Sequence, residues 1–246
     1  AFATFLAEWS GLLLGLWMCR VAFRGGAWRD VERILDAARL RRMASVNGDI
    51  LIRSVLLQAI FVSFLFFGAG LGDVRLAANQ VLLQFLHITA YALDGFAFAA
   101  EAIVGQAVGA RALPVLRRGA VLASLWGAAA CAGMALAFAL WGGAIIDLMA
   151  TAPEVREAAR AFLPWMVGAP LVGCAAWMLD GIFIGATRTR DMCNMMVVSA
   201  LIYFAIAPFL LAAFGNHGLW MALLISFVTR AATLGLRYPA LERAVA

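Results

Sequence analysis

The chain has 246 residues, of which 65% are hydrophobic and only 13% are charged, and its formal net charge is +5. Its mean hydropathy of +0.93 excludes a water-soluble domain of this size and indicates a membrane protein with several spans. All nineteen basic residues are arginine. In a membrane protein such a surplus is typical of cytoplasmic loops, so no nucleic-acid partner is predicted.

Seven stretches are long and apolar enough to cross a bilayer, which takes about 20 residues. They predict an all-α fold, with spans at about 2–22, 50–69, 76–108, 118–140, 160–186, 193–214 and 217–236. Between the first two spans, charged and apolar residues alternate over 24–47. This pattern predicts a short amphipathic helix on the membrane surface.

The distribution of arginine predicts the orientation in the membrane. Arg75, Arg156 and Arg160 fall on one set of loops, and fifteen arginines fall on the opposite set. The larger set is Arg20, Arg24, Arg29, Arg33, Arg39, Arg41, Arg42, Arg111, Arg117, Arg118, Arg188, Arg190, Arg230, Arg237 and Arg243. The linker and the C-terminus are therefore expected in the cytoplasm. Seven spans then place residue 1 outside, and further helices upstream would account for this.

A row of mostly polar side chains runs along the third span. Its members, here called the polar seam, are Gln80, Gln84, His87, Tyr91, Asp94, Phe98 and Glu101. Alternating steps of four and three residues place them on one face of a helix whose other faces are apolar. The seam either lines a cavity, with Asp94 and Glu101 as proton or cation sites, or hydrogen-bonds neighbouring helices.

A second acidic residue has a similar local sequence, because Asp94-Gly95 and Asp180-Gly181 both interrupt apolar helices. A glycine lets another helix or a solute approach the backbone beside the carboxylate. The two acids could share a cation, or the similarity could be coincidence combined with helix packing. Arg53 has two open interpretations as well: it reaches the cytoplasmic interface, or it is the counter-ion of an inward-facing acid.

No catalytic or metal-binding constellation is recognisable. The four cysteines lack paired spacing, and His87 has no accompanying ligand set, so neither a disulfide framework nor a metal site is predicted. The sequence also lacks a nucleophile elbow, a zincin helix and a phosphate-binding loop. Two alternatives to transport stay open: a membrane-embedded enzyme of the aspartyl type that uses Asp94 and Asp180, and a structural bundle without a transported substrate.

Two blocks of sequence resemble the multidrug and toxic compound extrusion (MATE) transporters, specifically the DinF-like branch. The first block contains GDVRLAANQVLLQ at 72–84 and LDGFAFAAEAIVGQ at 93–106, and the second is LDGIFIGATR at 179–188. The resemblance implies twelve helices in two lobes around a central cavity. It also implies exchange of a cationic or amphipathic compound for H⁺ or Na⁺ across a bacterial inner membrane, driven by the ion gradient without a cofactor.

Mapped onto this family pattern, residues 1–22 would be the last helix of the N-terminal lobe. Residues 23–47 would be the cytoplasmic inter-lobe linker, and residues 48–246 the six-helix C-terminal lobe. The expected partners are an N-terminal lobe with five further helices, a small organic solute and the lipid bilayer.

The resemblance also bears on individual residues. In the sodium-coupled branch a second-lobe aspartate binds the cation, and Asp180 falls at the matching position. That branch has a glutamate near Arg53–Gln58, where this chain has no acid. The proton-responsive aspartate of the DinF-like branch lies in a helix outside this sequence, so H⁺ and Na⁺ both stay open. Our ion-coupling candidates are Asp94, Asp180 and Glu101. Our substrate-cavity candidates are Gln84, His87, Tyr91, Phe98, Arg53 and Gln58.

Overall fold

A computed structural model describes residues 2–21, 30–31 and 35–245 of the chain. These residues form long helices and no strand. The helices are α1 (Phe2–Cys19), α2 (Ala37–Ala69), α3 (Asp73–Gly109), α4 (Leu113–Met149), α5 (Pro153–Gly185), α6 (Thr189–Phe214) and α7 (Asn216–Arg243). All seven are long and apolar enough to cross a membrane, which confirms the predicted all-α fold with seven spans.

The chain divides into two compact units, residues 1–45 and residues 46–246. The first contains α1 and the start of α2, which begins at Ala37 rather than at residue 50. Asp36 caps this start, because its Oδ1 accepts hydrogen bonds from the backbone N–H groups of Ala38 at 3.0 Å and Arg39 at 3.2 Å. Residues 37–47 therefore belong to the same helix as the second span. Their place on the membrane surface stays a prediction. The rest of that prediction falls mostly on 22–29 and 32–34, outside the described residues.

The core of the second unit is apolar and rich in aromatic pairs. Phe64 and Trp220 pack edge to face with ring centroids 4.6 Å apart, and Phe85 and Phe138 do so at 4.9 Å. Of the helices in this unit, α5 is the most buried along its apolar stretch. Because lipid is as apolar as these side chains, the fit between helices rather than water exclusion stabilises such a bundle.

Two glycines allow α3 and α5 to approach closely. A Cβ atom added at Gly181 would lie only 2.6 Å from the carbonyl oxygen of Ala97, and one at Gly185 would collide with the backbone of Glu101. The glycines are four residues apart and therefore lie on one face of α5. This contact holds α3 in a fixed rotation, which decides which of its faces stays uncovered.

A buried polar network joins the starts of α3 and α7. Asn79 and Asn216 donate to each other's side-chain oxygens at 2.7 and 2.9 Å, and Trp220 Nε1 donates to Asn79 Oδ1 at 3.1 Å. All three residues are buried. Hydrogen bonds of this kind are needed where polar groups are removed from water, so the network fixes the register of the two helices.

Candidate functional site

The polar seam lies on a face of α3 that the rest of the described chain leaves uncovered. Tyr91 is 73% exposed, Phe98 is 65% exposed, and Gln80, Gln84 and Asp94 are exposed as well. The other two members, His87 and Glu101, are half-buried. Apart from Asn79 and Thr89, the residues of α3 that face the core are apolar, among them Leu82, Phe85, Leu93, Ala100 and Val104.

The two carboxylates of the seam have no counter-ion within the described part of the chain. Neither Asp94 nor Glu101 makes a hydrogen bond or an ion pair with another described residue. Tyr91 stacks on His87 with centroids 6.4 Å apart, and His87 in turn contacts Phe61 at 5.8 Å. The seam thus combines two unpaired carboxyl groups with an aromatic surface, groups of the kind that can bind organic cations.

Each end of the seam contributes to an open cleft. Phe98, Glu101 and Gln106 line a cleft of about 470 Å³ beside the end of α5. Gln80 and Gln84 line another, of about 420 Å³, beside the junction of α4 and α5. The first cleft has a carboxylate and an aromatic ring, whereas the second has two neutral amides from the seam. A cation would therefore bind more favourably at the first.

A second group of charges is buried between α2, α5 and α7, and it is called the buried charge cluster here. Asp180 is 4% exposed and accepts a short hydrogen bond from Arg53 Nη2. Arg230 Nη2 lies 3.8 Å from the same carboxylate oxygen, and Arg230 is 2% exposed. Of the two interpretations of Arg53, the structure therefore shows the counter-ion arrangement.

The prediction that Arg230 belongs to a cytoplasmic loop is wrong. This residue lies well inside α7, because this helix continues to Arg243. The sequence spacing could have indicated a buried position, since Arg230 shares a buried helix face with Leu223, Phe227 and Leu234. Without Arg230, fourteen arginines still fall on the predicted cytoplasmic side and three on the other side, so the predicted orientation does not change.

The two Asp-Gly pairs differ in their surroundings. Asp180 is buried against arginine, and Gly181 contacts Ala97, whereas Asp94 is exposed and Gly95 has no neighbouring atom within 4 Å of an added Cβ. A cation at Asp180 would have to displace a guanidinium group. Gln58, another cavity candidate, is exposed on α2. Among the described residues, no group of three His, Cys, Asp or Glu side chains could hold a metal ion.

Comparison with known proteins agrees with this architecture. The sequence model of the MatE family matches residues 50–209. DNA damage-inducible protein F of Escherichia coli K12 is 40% identical over 241 residues, which are 95% of this chain and 51% of that protein. Protein DETOXIFICATION 42 of Arabidopsis thaliana is 28% identical over 197 residues, which are 76% of this chain and 36% of that protein. This chain thus spans about half the length of the first relative and less of the second.

Two solved structures share the fold. They are a MOP superfamily transporter from Pyrococcus furiosus and a MATE transporter in a bent conformation. Each has a TM-score of 0.72 and 16% identity, over 80% of this chain and 44% of the solved chain. Since the family model covers well over half of the sequence, and the solved transporters share its helical architecture, the chain belongs to the MatE family of multi-pass membrane transporters.

Proposed function

We propose that this chain forms one lobe of a secondary active exporter in a bacterial inner membrane, with its C-terminus in the cytoplasm. The exporter would exchange cationic or amphipathic organic compounds for H⁺ or Na⁺ by alternating access. Membership of a transporter family speaks against the alternative of an aspartyl enzyme. The first relative is about twice as long as this chain, which supports a second lobe. We place that lobe opposite the polar seam.

The observation that carries this proposal is the unpaired carboxylate of Asp94 on the uncovered face of α3. A carboxylate exposed to lipid would be costly, so this face is expected to meet water or the second lobe. A proton and an organic cation would compete for the same negative charge, so that binding of one releases the other. This competition is the simplest basis for exchange.

The seam and the buried charge cluster would have different roles. We assign ion coupling to Asp94, with Glu101 and Phe98 providing the cation-binding cleft at one end of the seam. The cavity between these charges and the cleft beside the junction of α4 and α5 would be lined by Gln84, His87 and Tyr91. For Asp180 we propose a supporting role, because two guanidinium groups already neutralise its charge.

The test is the substitution Asp94→Asn in the full-length protein, with proton-driven efflux of ethidium from proteoliposomes as the readout. We expect efflux to fall about tenfold or more, which corresponds to about 1.4 kcal/mol of lost interaction. The matched control is Asp73→Asn, the same change at an exposed acid in the first turn of the same helix. It should leave efflux nearly unchanged, and Gln80→Ala at the outer end of the seam should lower efflux less than Asp94→Asn does.

Equal efflux by the two aspartate variants at matched expression would remove Asp94 from the mechanism. The proposed exporter would be contradicted by a wild-type protein that transports neither ethidium nor any other organic cation when an H⁺ or Na⁺ gradient is applied. That result would favour a structural bundle instead.

A further inference from the structure

The buried charge cluster carries one positive charge in excess. It contains a single carboxylate, Asp180, and two guanidinium groups, those of Arg53 and Arg230. Arginine stays protonated in proteins, so neither group can lose its charge to adapt to burial. No second carboxylate of the described residues contacts the cluster. An uncompensated charge in such a place is strongly unfavourable.

The excess charge is located mainly at Arg230. Its Nε and Nη2 atoms, like Nε of Arg53, are buried and have no hydrogen-bond acceptor among the described residues. The remaining hydrogen bond of Arg230 is a weak one, from Nη1 to the thioether sulfur of Met196 at 3.8 Å. The second oxygen of Asp180, Oδ1, is also unpartnered, but it cannot supply the missing negative charge.

An ion pair elsewhere in the chain has equal numbers of positive and negative charges. Arg117 donates two hydrogen bonds of 2.8 Å to the carboxylate of Glu242, one cation to one anion. That pair is largely solvated on its arginine side and needs no further partner. The buried charge cluster has the opposite properties, with two cations to one anion and almost no contact with solvent.

We propose that the buried charge cluster binds a small monovalent anion of halide size, for which chloride is the natural probe. The anion would lie against the guanidinium groups of Arg230 and Arg53 and restore neutrality within the lobe. The side chain of Arg53 is 16% exposed and offers the route of entry. The nearly closed surroundings of Arg230 exclude a large organic anion. This inference stands independently of which compound the protein transports.

The experiment uses the full-length protein in detergent, with chloride replaced stepwise by gluconate at constant ionic strength. We expect the Tm of the wild type to rise saturably with chloride by a few degrees, about the shift that a moderately saturating ligand produces. Binding of ³⁶Cl⁻ to the same sample should saturate over the same concentration range.

Arg230→Gln removes the excess charge and leaves the pair between Asp180 and Arg53. Its Tm should not depend on chloride, and in gluconate it should equal or exceed that of the wild type. Arg117→Gln is the control, because it removes the same charge from the pair with Glu242 and should retain the chloride response. Arg230→Lys keeps the charge and should keep ³⁶Cl⁻ binding.

Three results would overturn the proposal. The first is an absence of saturable ³⁶Cl⁻ binding by the wild type, which would indicate that another part of the protein supplies the counter-charge. The second is a chloride response of the same size in the wild type and in Arg230→Gln, which would be a general salt effect. The third is a Tm of Arg230→Gln in gluconate that is lower than that of the wild type, because removing an uncompensated charge should not destabilise the protein. If Arg230→Gln does not fold, ³⁶Cl⁻ binding by the wild type decides.

Discussion

Asp180→Asn is expected to destabilise the protein by about 3–5 kcal/mol, the range for removing one partner of a buried ion pair. The substitution keeps the shape of the side chain but removes the one carboxylate that the described residues place between Arg53 and Arg230. Both guanidinium groups would then have no counter-ion among the described residues. The measurement is the Tm of the detergent-solubilised protein, together with the yield of monodisperse material.

Two comparisons make this prediction specific. Asp191→Asn breaks the ion pair with Arg188, whose atoms are 3.5 Å apart and partly exposed, and should cost less than about 1 kcal/mol. Combining Asp180→Asn with Arg230→Gln removes one of the two orphaned cations, so the double variant should recover part of the lost stability. Equal melting temperatures for Asp180→Asn and Asp191→Asn would show that the buried charge cluster does not stabilise the fold.

Gly181→Val is expected to have the second large effect, a loss of at least about 2 kcal/mol, as is typical of overpacking. Its Cβ would lie 2.6 Å from the carbonyl oxygen of Ala97, and a backbone atom cannot rotate away as the end of a side chain can. The helices α3 and α5 would have to separate, which would also move the polar seam. We expect a lower Tm and a lower folded yield.

The control is Gly95→Ala, since Gly95 precedes Phe96 in the same local context but has nothing within 4 Å of an added Cβ. Alanine in the middle of a helix is favoured over glycine by about 1 kcal/mol, so this variant should be neutral or slightly stabilised. The two substitutions therefore have opposite expected signs. A similar loss of stability in both would contradict the close approach of α3 and α5.

The spans could be predicted from the sequence, but their ends could not. Hydropathy marks the part of a helix that lies in lipid, whereas α2 and α4 continue beyond it through residues that form helices equally well in water. The helix α2 begins at Ala37 because Asp36 caps it, and α4 continues to Met149. Arg230 is a different case, because it lies inside the predicted span 217–236 and still does not belong to a loop.

The shared face of the seam could be predicted from spacing alone, because its period places seven side chains on one side of a helix. That this face is uncovered could not, since hydrogen bonds to neighbouring helices were an equally open interpretation. The different surroundings of Asp94 and Asp180 could not be predicted either. Both are followed by glycine in apolar helices, yet only Asp180 is buried against arginine. That difference depends on Arg53 and Arg230, which are far away in the sequence and approach only in the folded bundle.

The polar seam is expected to face a water-filled path and not lipid. The decisive experiment is Tyr91→Cys in a full-length background without native cysteines, treated with a charged, water-soluble thiosulfonate in intact membranes. Leu136→Cys, at another exposed apolar position, is the control. We expect rapid modification at position 91, slowed by an organic cation such as ethidium, and little modification at position 136. Equal and slow modification at both positions, unaffected by the cation, would place the seam against lipid and contradict the expected water-filled path.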